Sequence, residues 1–412
     1  MKSLLQRIEW RINAIRHRDP LSPSAYARLF GSWRPRAWDA RFTPRRVLVL
    51  RSDEIGDTVT TLTLLASMRA QWPKARLDLV VKPVPATIFH AAGYVDRVIP
   101  WSPVVEGSAL KRQLLTARQA LRRFGLRGYD LAVLPRWDFD DTPLRYLASA
   151  SRARSVVGFA PVAEREPIWL GEQTRLLTDV IARGDSPMLS VEQLRRVAEH
   201  LGVPWLPRPD PAVGYALFNA SDRGKADRAA ELSTRSDLIV GVGIGARDAK
   251  RQWPTEELVQ TLTELSRSRS LAVQVLGGDV DIGRAGALVT RLADQGVHAA
   301  NLAGRLTLSE SAAAISRCQL FLGNDSGLQH IASSLDVATI VVTCHPANGS
   351  PWSDNAPERF GPWSRRSVVL QPPHPAEGCT DECTASEPHC IRAVHAVEAV
   401  AAAEHLLELG RE

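Results

Sequence analysis

A polar turn between two apolar segments carries groups that could bind an anion. Residues 323–330 read Gly-Asn-Asp-Ser-Gly-Leu-Gln-His, with an apolar run before them and a stretch of small residues after them. A strand, a tight turn and a helix N-terminus in this order direct free backbone N–H groups at a ligand, and the helix dipole adds about half a positive charge. The plainer alternative is a capped core helix with a partly buried histidine. The turn predicts a phosphate site with four candidate residues: Asp325, Ser326, Gly327 and His330.

A second strand-to-helix turn places a carboxylate where open α/β folds bind ligands. The apolar run 47–50 leads into Arg51, then Gly56 and Asp57, and then a threonine-rich stretch. The carboxyl ends of parallel strands form the ligand-binding edge of such a sheet. Gly56 would let a substrate come close, and Asp57 could act there as a general base. Position alone favours the simpler role of a helix cap for Asp57.

Two further loops could contact a nucleotide. Residues 241–246 spell G-x-G-x-x-A after a strand, as in dinucleotide-binding oxidoreductases, but the next helix is expected only from Thr255, too far away to hold a pyrophosphate. Farther on, Asp279 and Asp281 follow another strand, and either carboxylate could grip both ribose hydroxyls. Because this role fits better than a D-x-D metal motif, no divalent ion is expected there. The small residues of the first loop would let the backbone approach phosphate: Gly243, Gly245 and Ala246.

In their order along the chain, three of these motifs resemble the signatures of glycosyltransferase family 9, the lipopolysaccharide heptosyltransferases. They are the Gly-Asn-Asp-Ser-Gly turn, the segment from Arg51 to Asp57 and the stretch from Gly243 to Pro254, and they lie within residues 46–345. The resemblance implies an inverting transferase that moves a sugar, from ADP-heptose in the family, onto a lipopolysaccharide-core or related glycolipid acceptor. It also implies that Asp57 is the catalytic carboxylate and that no cofactor takes part.

The sequence departs from the family pattern in two places. The family has a phosphate-binding lysine two residues before Trp-Pro, where this chain has Arg251 preceded by Lys250, so either cation could hold the donor phosphates. Many relatives have Gly-Pro-Thr where this chain has Cys344-His345-Pro346, and the loop 347–363 that follows could read the base or the sugar. The resemblance therefore supports glycosyl transfer more firmly than heptose. Two alternatives stay open: a transferase that uses another nucleotide sugar, and a non-catalytic membrane-associated protein with a degenerate fold.

Strands alternate with helices on both sides of a proline-rich segment, which indicates two α/β domains. Residues 202–211 contain four prolines in ten residues, as expected of a linker between domains. The resulting prediction is an α/β protein with two Rossmann-like domains facing a central cleft, the GT-B arrangement. The resemblance also implies that the last helix, from Val394 to Leu409, crosses back onto the first domain. The predicted divisions are a basic arm (1–45), an acceptor domain (46–205), a donor domain (206–390) and the final helix (391–412).

Positive charge is concentrated at the N-terminus. Residues 1–46 hold eleven Lys and Arg against three Asp and Glu, a net +8, so the rest of the chain carries −2 of the overall +6. Within residues 2–18, isoleucines and leucines at helical spacing are surrounded by five cations, which favours a helix that lies on an anionic inner leaflet. With no signal peptide and no apolar span of membrane length, we expect a cytoplasmic protein, peripheral at the inner face of the plasma membrane. Because the basic charge is confined to one arm, nucleic acid is not an expected partner.

Three of the five cysteines form a C-x3-C-x6-C cluster near the C-terminus. Cys379, Cys383 and Cys390 lie close in sequence to His374 and His389, a set that would suit zinc. The spacing is not that of a standard zinc module, and three thiols need a fourth ligand. We therefore favour a structural role without metal for the cluster, and inert core thiols for the other two cysteines.

Overall fold

The computed structural model describes residues 21–32, 34–89, 93–137, 142–160, 173–184, 186–206, 211–230 and 236–409. The predicted membrane-binding helix within residues 2–18 lies outside these ranges and stays a prediction from the sequence. Among the helices that the structure describes, none is both long enough and apolar enough to cross a bilayer.

The first domain is built on a six-stranded parallel sheet. Its strands follow the order β3-β2-β1-β4-β5-β6, so the chain reverses its direction of winding between β1 and β4. The central strand β1 reads Val-Leu-Val-Leu and is buried on both faces, as continuous apolar runs are in parallel sheets. The strands are β1 (Arg46–Arg51), β2 (Arg76–Val81), β3 (Arg97–Pro100), β4 (Leu131–Leu134), β5 (Ser155–Phe159) and β6 (Asp179–Ile181).

Helices cover both faces of this sheet. Where the sequence predicts one helix from Thr58 to Gln71, the structure has two, which meet at Thr61 and begin three residues earlier. The helices are α1 (Pro23–Phe30), α2 (Ile55–Thr60), α3 (Leu62–Gln71), α4 (Pro83–Ala86), α5 (Ala109–Phe124), α6 (Leu144–Ala150) and α7 (Ser190–Leu201). Helix α1, in the predicted arm, packs on one face through the buried ring of Tyr26.

The second domain repeats the same sheet topology. Its order is β12-β11-β10-β7-β8-β9, again all parallel, with the change of winding between β7 and β10. The strands are β7 (Leu238–Gly243), β8 (Leu271–Leu276), β9 (His298–Asn301), β10 (Leu320–Asn324), β11 (Ala338–Val342) and β12 (Ser367–Leu370). The helices are α8 (Pro211–Tyr215), α9 (Ala220–Ala230), α10 (Thr255–Ser266), α11 (Ile282–Asp294), α12 (Leu308–Ile315), α13 (Gly327–Ser334), α14 (Pro357–Phe360) and α15 (Ala396–Leu409).

This architecture confirms the predicted α/β fold of two facing Rossmann-like domains. One apolar cluster is continuous between them, from Val47 and Leu65 in the first domain through Leu217 to Phe321 and Ile331 in the second. The domains therefore share buried surface and are not joined by a linker alone.

The final helix does not follow the prediction. We expected it to cross back onto the first domain, but α15 packs on α10, β11 and β12 of the second. Its buried residues Ala399, Ala403 and Leu406 belong to the apolar cluster of the second sheet. Ala402 lies on the same face, and these small side chains allow a close approach to that sheet.

Candidate functional site

A cleft of about 790 Å³ lies where the carboxyl ends of the two sheets face each other. Its walls come from the segments after β1, β2 and β4 in the first domain and after β7, β8, β9, β10 and β11 in the second. Ligands of open parallel sheets bind where the winding reverses, and both such points open into this one cleft. It contains ten of the residues proposed from the sequence: Gly56, Asp57, Gly245, Ala246, Arg251, Asp281, Asp325, Ser326, Gly327 and His330.

A buried arginine holds the carboxylate on the first wall. Asp57 lies in the first turn of α2 with its side chain 26% exposed, and its Oδ1 accepts a hydrogen bond from the Arg51 guanidinium at 3.2 Å. Arg51 is only 3% exposed. It also pairs with Asp53 at 2.7 Å and donates to the Pro135 carbonyl at 3.1 Å. This arginine orients Asp57 and leaves one side of the carboxylate facing the cleft.

The same wall carries charged groups that the sequence analysis did not identify. Arg136 follows β4 and forms an ion pair with Asp53, and Lys82 follows β2 and pairs with Glu54 at 2.7 Å. All four line the cleft. Their positions directly after strands of one parallel sheet could have identified them, because residues at such positions meet at one edge of the sheet.

On the opposite wall, a cation and the turn after β10 stand together. Arg251 lies on a short 3₁₀ turn, Ala249–Arg251, with its side chain 14% exposed, and its guanidinium is 3.4 Å from Asp325 Oδ2. Helix α10 begins only at Thr255, as predicted, so the loop from Ile244 to Pro254 contains no α-helix and can follow a bound anion. A guanidinium beside a helix N-terminus is an arrangement suited to phosphate.

Asn324, the last residue of β10, locks this loop in place. Its Oδ1 accepts from the Trp253 backbone N–H at 2.8 Å, and its Nδ2 donates to the Ile244 carbonyl at 2.9 Å. The side chain is 3% exposed, so both bonds are shielded from water. The sequence analysis quoted Asn324 within the motif but gave it no role, since its partners are about 70 to 80 residues away in the chain.

The two walls touch where α2 and α13 begin. A Cβ placed on Gly56 would lie 2.3 Å from Cδ2 of His330, and one placed on Gly327 would lie 2.7 Å from Cβ of Ile55. No larger residue fits at either position without displacing its partner. Through this contact the N-terminus of α13, with Ser326 as its N-cap, lies in the same cleft as Asp57.

Burial sets the charge of two groups at this contact. Burial lowers the pKa of His330 to about 4, so its imidazole is neutral at pH 7. Burial also raises the pKa of Asp325, while Arg251 and Arg247 oppose that rise by favouring the carboxylate. The turn and the loop after β7 therefore present a neutral ring, a carboxyl group and two arginines to a ligand.

Three residues proposed from the sequence do not line the cleft. Gly243 lies inside β7 against the ring of Phe321, where a Cβ would be 2.7 Å from Cζ, so it is a packing glycine. Lys250 donates instead to the carbonyl of Cys383 at 2.7 Å. Of the two acids after β8, Asp281 is buried and faces the cleft, where it accepts from the Gly278 N–H at 2.9 Å, whereas Asp279 is exposed outside it.

Two parallel sheets whose carboxyl ends share one cleft, with a carboxylate on one wall and an anion site on the other, define a GT-B glycosyltransferase that uses a nucleotide sugar. The chain belongs to glycosyltransferase family 9 (heptosyltransferase), whose family model matches residues 178–388. The alternative of a non-catalytic protein is therefore not supported.

Individual relatives agree with this family. Lipooligosaccharide heptosyltransferase 2 from Haemophilus ducreyi is 25% identical over 337 residues, which cover 79% of this chain and 88% of the relative. The structure of E. coli ADP-heptose LPS heptosyltransferase II has a TM-score of 0.64 at 19% identity, over 89% of this chain and all of that one. E. coli heptosyltransferase WaaC with ADP-2-deoxy-2-fluoro heptose has a TM-score of 0.62 at 18% identity, over 89% and 99% of the two chains. These structures share the fold.

The neutral His330 predicts how stability depends on pH. Its pKa is about 4 in the folded chain and about 6.5 when unfolded, so between these values the unfolded state binds more protons and the free energy of unfolding falls as the pH falls. Between pH 7 and 4.5 the wild type should lose about 2 kcal/mol more than His330→Gln. Urea unfolding at both pH values measures this difference. His298→Gln, at an exposed histidine outside the cleft, is the control and should behave as the wild type. Equal pH dependence in all three proteins would contradict a buried neutral ring.

Proposed function

We propose that this protein transfers heptose from ADP-heptose to a lipopolysaccharide-core or related glycolipid acceptor, with inversion at the anomeric carbon. The observation that carries the proposal is that Asp57 and the Arg251–α13 anion site face each other across one cleft. The first domain (46–205) would bind the acceptor and the second (206–390) the donor. The relatives support this choice of donor: their names include a lipooligosaccharide heptosyltransferase and an enzyme in complex with an ADP-heptose analogue.

On the acceptor side, Asp57 acts as the general base. Its carboxylate takes the proton of an acceptor hydroxyl as the oxygen attacks the anomeric carbon of the donor. The bond from that carbon to the nucleoside diphosphate breaks on the opposite face, which inverts the configuration. Arg51 keeps the carboxylate in the orientation that this transfer needs, because its own position is fixed by Asp53 and the Pro135 carbonyl.

On the donor side, the leaving diphosphate is stabilised by fixed positive charge. Arg251 offers a planar fork of donors, and the N-terminus of α13 adds the Ser326 and Gly327 N–H groups. Asp281, in the loop after β8, would accept hydrogen bonds from the ribose hydroxyls. These groups would neutralise the developing charge without a divalent ion.

The loop after β11 would determine which nucleotide and which sugar the protein binds. Asp354 and Phe360 from this loop line the cleft, and Phe360 offers an aromatic edge or face to a base. His345 is 1% exposed beneath the loop, at the position where the sequence departs from many relatives. A different nucleotide sugar is the second candidate, and this departure is the observation that favours it.

Transfer assays with Asp57→Asn test the proposed function. The wild type should move heptose from ADP-heptose to a lipopolysaccharide-core acceptor, with UDP- and GDP-sugars as poor donors. Asp57→Asn should bind ADP nearly as well but lower turnover by about a hundredfold or more, because the amide cannot accept the proton. Turnover by chromatography and ADP affinity by calorimetry check the two parts.

The control for this variant is Asp227→Asn, which alters a surface ion pair with Arg317 outside the cleft and should leave turnover unchanged. Near-normal turnover in Asp57→Asn would show that another group is the base. Saturable binding of a UDP- or GDP-sugar in preference to ADP-heptose would replace the proposed donor.

Two neighbouring cations should differ in their effect on donor binding. Arg251→Ala removes a guanidinium from the cleft and should weaken ADP binding by about 1.5–3 kcal/mol, the contribution of a charge-assisted contact. Lys250→Ala should change ADP affinity by less than about 0.5 kcal/mol, since its ammonium bonds the Cys383 carbonyl. Calorimetry without and with Mg²⁺ should give the same affinities. A loss with Lys250→Ala as large as that with Arg251→Ala would reverse the assignment.

The basic arm should hold the enzyme near its acceptor. We propose that residues 2–18 contact an anionic membrane surface, with each cation contributing about 1 kcal/mol at low salt. Flotation with anionic vesicles should decline with added salt and with removal of residues 1–18, while transfer to a water-soluble acceptor persists. Unchanged flotation after the deletion, or unfolding of the shortened protein, would assign the arm to the structure of the first domain.

A further inference from the structure

A cluster of three thiols and one imidazole lies outside the cleft, in the segment between β12 and α15. The ligand atoms of Cys379, Cys383, His389 and Cys390 all lie within 4.8 Å of one another. The sequence alone did not favour a metal, because the cysteine spacing is not that of a standard zinc module and the three thiols need a fourth ligand. The fold supplies it as His389, whose ring points at two of the sulfur atoms, while His374 is exposed and not part of the cluster.

The two distances from His389 Nδ1 to cysteine sulfurs match edges of a coordination tetrahedron. The Nδ1 atom of His389 is 3.6 Å from the Cys379 sulfur and 3.7 Å from the Cys390 sulfur. With Zn–S bonds of about 2.3 Å and Zn–N bonds of about 2.05 Å, a tetrahedral centre places sulfur and nitrogen about 3.6 Å apart. A single ion can therefore reach these atoms with small shifts of the side chains.

Backbone groups around the cluster favour thiolates. The Thr384 N–H donates to the Cys379 sulfur at 3.5 Å, and the Ala376 N–H donates to the Cys390 sulfur at 3.4 Å. Such outer-shell hydrogen bonds orient metal ligands and stabilise their charge. Cys383 and Cys390 are at most 1% exposed, so the inner half of the site is shielded from water while Cys379 and His389 close its outer half.

We propose that Cys379, Cys383, His389 and Cys390 bind one Zn²⁺ ion as a closed structural centre. Three thiolates and one imidazole in tetrahedral arrangement suit zinc, and four protein ligands leave no position open for a substrate.

The centre fixes two loops that border the cleft. The carbonyl of Cys383 accepts from Lys250 at 2.7 Å, directly beside Arg251. The next two residues upstream hold the loop after β11: the Asp381 carbonyl accepts from the Ser350 N–H at 2.8 Å, and Glu382 accepts from the Ser353 hydroxyl at 2.6 Å. The ion would thus brace both the loop that carries Arg251 and the loop after β11, because the contacts to these loops come from Cys383 itself and from the two residues before it.

Metal analysis of the full-length wild type tests the proposal without any substrate. After dialysis in buffer free of metal, the protein should retain one equivalent of zinc, and replacement by Co²⁺ should give the visible absorption of a tetrahedral thiolate-ligated ion. His389→Ala and Cys379→Ser should each weaken zinc binding by at least about a hundredfold in competition with a chromophoric chelator, since loss of an outer-shell partner alone costs 10–100-fold.

Matched controls separate ligand loss from general damage. His374→Ala changes an exposed histidine of the same segment, and Cys318→Ser changes a buried cysteine between α12 and β10, so both should keep one equivalent of zinc. If the wild-type protein contained no metal and its mass were lower by two hydrogen atoms, it would contain a disulfide and the proposal would be overturned. One equivalent of iron would overturn the choice of zinc, and full zinc retention in His389→Ala would overturn the ligand set. Because none of these measurements uses heptose transfer, they stand apart from the proposed function.

Discussion

The geometry of the cleft depends on the contact between the first turns of α2 and α13. Gly56 accommodates the ring of His330, and Gly327 accommodates Ile55, so each helix start fits into a space that the other's glycine leaves. This reciprocal contact is possible only because neither position carries a Cβ. It fixes how far the two sheets lie apart at the floor of the cleft, and hence the separation between the carboxylate of Asp57 and the anion site opposite.

The repeated topology explains why the chemistry gathers in one place. Both sheets reverse their winding next to their first strand, and both present that point to the same cleft. Segments after eight strands can then contribute side chains to the cleft without long connections. Asn324, at the end of β10, holds the loop after β7 through one buried amide, which ties the proposed anion-binding loop to the second sheet.

Much of the fold could be predicted from the sequence because its central strands are continuous apolar runs. Strands β1, β7 and β10 are buried on both faces and stand out from their surroundings. Strands β6, β9 and β12 were not predicted since they are short and only partly buried, which leaves little apolar pattern to detect. Strand β5 was not predicted either, although it is buried along its whole length. The final helix was assigned to the first domain from the family resemblance, and its alanine-rich face gave no signal in the sequence for which domain it packs on.

Site residues could be predicted where a motif lies at the end of a strand. They could not be predicted where the role of a residue depends on a partner far away in the sequence. Asp57, Arg251 and Ser326 fall in strand-end loops and lie in the cleft as expected. The choice between Lys250 and Arg251 could not be made from two adjacent cations, because it depends on the Cys383 carbonyl 133 residues away. Arg136 was missed for a similar reason, since its ion-pair partner Asp53 is 83 residues earlier.

The buried position of Arg51 has an electrical consequence for the reaction proposed here. Before transfer, its charge is compensated by Asp53 and Asp57 together. When Asp57 takes up a proton, that compensation is reduced and one wall of the cleft becomes more positive by a full unit. At the same moment a diphosphate with growing negative charge departs along the other wall. The proton transfer would thus create a field across the cleft that draws electron density toward the leaving group, without any movement of the arginine.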